Sequence, residues 1–182
     1  MKCIVNHHTG GTYSPNHIDL ESYHGLVDGD GNHIMGNKPY DANRTVNGKL
    51  PDDYVRHAGG FNSDAIGLAA CGMKDAQEYD PAGTTQYPIT HQQFDELAKW
   101  NAELCITFGI PVENCFLHSE IQPRFRAGIY KWDINYVEGL GHMYWQDAAG
   151  EFRRLVEKHR DRLTRKPTFW EKLSAWWSSL WA

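Results

Sequence analysis

Two histidines stand side by side at His7 and His8, directly after a short apolar run, in the stretch IVNHHTGG. Histidine is a poor strand former and an awkward core residue. A pair at the mouth of a strand, followed by Thr9 and two glycines, reads as a site built where strand becomes loop. A zinc site for hydrolysis needs three protein ligands and a fourth position for water, whose pKa falls from about 15.7 to roughly 7 on the metal. The chain offers such ligands in three places: His7 or His8, His118 in NCFLH, and a carboxylate in YKWDIN. Side chains alternate along a strand, so His7 and His8 point to opposite faces and only one joins the cluster. By the same parity Lys131 and Asp133 share a side, with Trp132 turned away. A cation beside a metal-ligating carboxylate suits a site that stabilises an oxyanion. Taken singly, any of the ten histidines is more often a surface or hydrogen-bonded core residue, and spacing alone leaves the metal reading open.

These residues need a scaffold, and the pattern supplies one. Residues 3–7 read as a strand. Thr12–Gly25 is polar, turn-rich and too short for a long helix with its connections. YHGLVDGDGNHIMG reads as a hairpin turning at Asp28–Gly31, which puts His24 and His33 on its surface. A polar loop covers Lys38–Asp53. The apolar run AIGLAACG, Ala65–Gly72, has the pattern of a buried central strand. Thr90 is an N-cap with Gln93 at the capping-box position. Phe94, Leu97, Ala98, Asn101, Leu104, Cys105 and Phe108 follow at helical spacing up to Gly109. Asn114–His118 is a further short strand, and a second helix spans about Gly141 to Leu163. Strands mixed with helices and a buried central strand define an α/β domain with a central mixed sheet flanked by helices. His7/His8 and His118 then lie at strand ends, where such sheets gather ligands.

The totals agree with one globular domain: 182 residues, 41% hydrophobic and 13% aromatic. No apolar run is long enough to span a bilayer. The first residues lack the apolar core of a secretory signal, so work outside the cytoplasm is expected to need another export route. Cys3, Cys71, Cys105 and Cys115 form no paired motif and read as reduced, buried thiols. Net charge is −5, but it is segregated: residues 153–182 carry eight Lys/Arg against three Asp/Glu, and the rest ten against twenty. An acidic body argues against nucleic acid as a partner and for a separate role at the tail.

Five motifs in order, IVNHHTGG, YHGLVDGDGNHIMG, RHAGGFNSDAIGLAACG, FLHSEI and KWD, resemble the zinc-dependent N-acetylmuramoyl-L-alanine amidases, the family of phage amidase-type lysozymes and peptidoglycan recognition proteins. The resemblance spans roughly residues 2–137. It implies a peptidoglycan recognition protein/amidase-like fold and a zinc amidase domain over 1–163, with one catalytic zinc ion held by His7, His118 and Asp133. It further implies that Lys131 stabilises the oxyanion, that Tyr23 orients the attacking water, and that His57 and Asn62 lie on the substrate side. The implied substrate is peptidoglycan, cut at the amide between N-acetylmuramic acid and L-alanine. A helix common in the family between the first ligand and Tyr23 is missing from this pattern, and Ile134–Asn135 replace the family's Pro-Gly. Glu120 is either a support for a ligand or a surface carboxylate. Arg124 and Arg126 read as solvated before contacts with an acidic stem peptide.

The tail, RKPTFWEKLSAWWSSLWA, holds four of the seven tryptophans within its last thirteen residues. Over 164–182 it reads as a Trp-rich amphipathic helix, for contact with a membrane surface or for docking on the domain. The combined expectation is a phage endolysin. The alternative from another class is a peptidoglycan-binding or regulatory module whose zinc is structural.

Overall fold

In a computed structural model, which describes residues 1–166 together with 170 and 177, the chain forms a mixed five-stranded sheet flanked by helices. In chain order the elements are β1 (Cys3–His8), α1 (His17–Ser22), β2 (Gly25–Val27), β3 (His33–Met35), β4 (Ala65–Ala70), α2 (Pro81–Thr84), α3 (His91–Phe108), β5 (Cys115–Leu117), α4 (His118–Phe125), β6 (Tyr136–Val137), β7 (Gly141–His142) and α5 (Trp145–Thr164). The sheet order is β3-β2-β4-β1-β5. β1 lies between β4 and β5, parallel to both, and β3 alone runs antiparallel, against β2.

The two faces of β1 show how sequence parity becomes a layered core. Ile4 faces the main core under α3 and α5, whereas Cys3 and Val5 face a smaller core with Phe116 and Ile121. Asn6 shares the Ile4 face. It exchanges two side-chain hydrogen bonds with Asn101 of α3, at 3.1 and 2.7 Å. A fully paired amide couple of this kind satisfies four buried polar groups and pins helix to sheet. Asn101 fits the apolar spacing of α3, but it is a clamp and not filler. Gln93 has two jobs: it completes the capping box with Thr90, and its buried amide donates to the carbonyl of Cys71 at 2.7 Å. Gly109 ends α3 in the left-handed conformation.

Several expectations need correction. A helix does precede Tyr23: α1 is one and a half turns long, started by a capping box between Asn16 and Asp19. His118 opens helix α4 and does not close a strand. α5 begins at Trp145, and Gly141–His142 ahead of it pairs with Tyr136–Val137. His24 is fully buried, with Nδ1 accepting a hydrogen bond of 2.9 Å from the Gly67 amide. His33 remains partly exposed and stacks on Trp100, ring centroids 4.2 Å apart. All four cysteines are reduced and buried, with Cys105 and Cys115 sulfurs 3.3 Å apart. Among the described residues no helix is long and apolar enough to cross a membrane. Most of the tail at 164–182 lies outside the described residues.

Candidate metal centre

At the carboxyl end of β1 the alternation places His7 on the Val5 face, buried, while His8 on the opposite face packs against Trp132 with ring centroids 5.0 Å apart. β5 ends beside β1, so His118, the first residue of α4, meets His7. Their Nδ1 atoms are 2.9 Å apart. Asp133 closes the triangle, its Oδ2 lying 3.1 Å from His118 Nδ1 and 3.3 Å from His7 Nδ1. The Ser119 amide donates to the Asp133 carbonyl at 2.7 Å, which ties the loop carrying the carboxylate to the first turn of α4.

Three acceptor atoms so close converge on one point. Zinc bonds of about 2.0–2.1 Å at tetrahedral angles would set ligand atoms about 3.3–3.4 Å apart, slightly wider than the triangle here. Two imidazoles and one carboxylate form a donor set that suits zinc. Among the described residues this is the group of side chains able to hold a metal ion.

The surroundings prepare the ligands. Burial pushes His7 down to about 4, so its ring is neutral and ready to ligate at neutral pH. Burial alone would raise the Asp133 carboxyl, but hydrogen bonds with His118 and His7 hold it well below the usual carboxylate range. With a metal ion on Nδ1, His7 would carry its proton on Nε2 and donate it to His57 Nδ1, 3.2 Å away. His57 is itself buried against β4, where a Cβ on Gly67 would stand 2.3 Å from its ring. The glycine inside a central strand is therefore the space that His57 occupies.

Glu120, read either as a support for a ligand or as a surface carboxylate, is buried and acts on the backbone next to His118. Fully buried, it accepts from the Leu117 amide at 2.9 Å and pairs with Arg153 at 2.8 Å and Arg124 at 3.2 Å. It thereby fixes the strand-to-helix corner at His118. Arg124 is engaged in that pair and packs over Phe116 and Phe125.

Of the other residues singled out in the sequence, Tyr23 lies beside the cluster, its ring centroid 5.2 Å from that of His7. Burial raises its hydroxyl pKa, so the phenol stays protonated. A Cβ at Gly36 would sit 1.9 Å from the Tyr23 carbonyl oxygen, so only glycine permits the chain to cross there. Lys131 is exposed and lines the cleft over the cluster, about 530 Å³ in volume, together with Tyr23 and His57. Trp132 lines it too, so strand parity does not carry through this irregular segment. Asn62 is turned inward and holds its own loop, its Oδ1 accepting from the amides of Ala58 at 2.8 Å and His57 at 3.2 Å.

A buried cluster of two histidines and an aspartate, at the base of a polar cleft, could hold one metal ion. The sequence matches the family model for N-acetylmuramoyl-L-alanine amidase over residues 1–133, and the chain belongs to that family. The match ends on Asp133 and contains the other two candidate ligands with Tyr23, His57 and Lys131. Among solved structures the chain is similar to a mutant structure of PlyL, with 18% identity, 86% of this chain and 84% of that chain covered, and a TM-score of 0.45. It is also similar to the N-acetylmuramyl-L-alanine amidase AmiD from E. coli, in complex with anhydro-N-acetylmuramic acid-L-Ala-D-gamma-Glu-L-Lys. There the identity is 20%, coverage is 83% of this chain and 57% of AmiD, and the TM-score is 0.46. No curated protein matches the sequence.

Proposed function

We propose that this chain is a zinc-dependent N-acetylmuramoyl-L-alanine amidase that acts as a phage endolysin, made in the host cytoplasm and working at the cell wall. The convergence of His7, His118 and Asp133 within 2.9–3.3 Å of one another, at the base of an open cleft in a chain of this family, carries the reading. Bound there, zinc would supply Lewis acidity for water activation and carbonyl polarisation. The chain's own groups do the rest. Tyr23, kept protonated by burial, orients the attacking water and exchanges a hydrogen bond with it. Lys131, on the cleft wall beside Asp133, donates to the oxygen that gains charge as the lactyl–alanine amide carbonyl becomes tetrahedral. His57 holds the ring of His7 in the ligating tautomer. The endolysin assignment rests on the resemblance to phage amidase-type lysozymes and on the Trp-rich composition of the tail at 164–182, which suits contact with a membrane surface.

Mass spectrometry of the products from purified peptidoglycan, with zinc-loaded and chelator-stripped protein side by side, tests the activity. Free stem peptides beginning at L-alanine, lost on stripping and restored by zinc, are expected; intact strands from both samples would overturn the proposal. For the tail, loss of co-sedimentation with anionic vesicles on truncation after residue 163 is expected. Equal sedimentation of both forms would remove the membrane role.

A further inference from the structure

The segment that carries Asp133 has a second side. Ile129, Lys131 and Asp133 line the metal cleft, while Tyr130 and Asn135 line another cleft of about 400 Å³, closed by the β6–β7 hairpin and the start of α5. Tyr130 and Asp133, three residues apart, span at most about 10 Å of chain, so the two clefts share one wall. This second cleft lies largely beyond residues 1–133, the part that matches the family model.

Its walls are aromatic and its floor is polar. Tyr144 is 81% exposed and Tyr130 56%, and Trp145 stands beside them. Tyr144 occupies the N-cap position of α5, yet its side chain makes no capping bond, so the fold gives no reason for a large ring there. The Tyr130 hydroxyl donates to the Glu78 carboxylate, which fixes that ring. Asn135 is only 6% exposed, and its backbone is held on both sides: its amide donates to the Trp132 carbonyl and its carbonyl accepts from the Met143 amide, each at 2.8 Å. Its Oδ1, in contrast, is buried with no partner among the described residues. A buried acceptor left unpaired calls for a donor. His142 adds a further polar group, and no Lys or Arg is among the lining residues, which disfavours an anionic ligand.

Exposed aromatic rings beside the polar residues Asn135 and His142 suit a neutral pyranose: its C–H face packs on the rings, and its hydroxyls and acetamide find polar partners. We propose that this cleft is a glycan subsite, taking the N-acetylhexosamine next to the muramoyl residue whose amide is cut at the metal centre. The proposal rests on the amidase reading for that adjacency.

The test compares kcat/KM of the zinc-loaded full chain on a peptidoglycan fragment of several disaccharides and on a single-sugar muramoyl peptide. We expect the ratio of the two to fall about tenfold in Tyr144→Ala, through KM, and to persist in Tyr144→Phe, which keeps the ring. An unchanged ratio in Tyr144→Ala would overturn the subsite. Titration with an N-acetylglucosamine tetramer separates this from failure of the amidase reading. Binding that weakens about tenfold in Tyr144→Ala supports the subsite even where no amide is cleaved, and no binding by the parent chain overturns it.

Discussion

His7 reaches the metal centre from inside the sheet, and Asp133 reaches it from a loop. The first is set by β1, pinned from one face by the Asn6–Asn101 amide pair and supported on the other by His57, which fits only because residue 67 is glycine. The second sits in an irregular segment, held at Asp133 by a backbone bond from Ser119 and further along at Tyr130 and Asn135, and two residues away Lys131 stands in solvent. Ile129, in the same segment, is 72% exposed. The contrast separates two tasks. A metal position needs groups fixed to within fractions of an ångström, which a packed core supplies. Substrate contacts need reach and variation, which a loop supplies on a rigid base.

The comparison can be broken most severely at the ligands. His118→Ala and Asp133→Ala should each reduce bound zinc and turnover below detection, read by elemental analysis and product release. If Asp133→Ala kept full zinc, the loop would not belong to the centre. Lys131→Ala should separate the two tasks, lowering turnover by about 10²–10³ with zinc content unchanged. Loss of zinc in that variant would make the loop a single metal-holding unit. A smaller effect is expected from His57→Leu, about 10- to 100-fold in zinc affinity by competition with a chelator, since it removes the acceptor that orients His7.

The sheet side also predicts a pH dependence for metal-free protein. Burial lowers His7 and His24 from 6.5 to about 4, so between these values the unfolded chain binds protons that the folded chain refuses. Stability is then complete above pH 6.5 and falls as pH drops toward 4, by up to about 3 kcal/mol per histidine. Thermal denaturation of chelated protein across that window checks this, and a flat melting temperature would contradict it.

What could be read in advance follows the same division. The Thr90–Gln93 capping box, the Gly109 stop and the opposite facing of His7 and His8 are local or periodic features, and the structure agrees with each. His57 lies 50 residues from His7, so its contact with that ring depends on how the sheet is assembled and not on any spacing. Gly67 in a buried strand marks a close approach, but only the fold names the ring that fills it. His24 looks like a hairpin surface residue until the Gly67 amide beside it is seen. Glu120 is ambiguous for a similar reason: its partners Arg153 and Arg124 include one that arrives from α5. The loop from 129 to 135 defeats strand parity because it is not a strand.

Zinc K-edge X-ray absorption on the reconstituted full chain tests the central claim most directly. The account predicts one zinc in a four-coordinate shell of nitrogen and oxygen at about 2.0–2.1 Å, with outer-shell scattering from two imidazoles. A sulfur neighbour, or a shell without imidazole scattering, would contradict it.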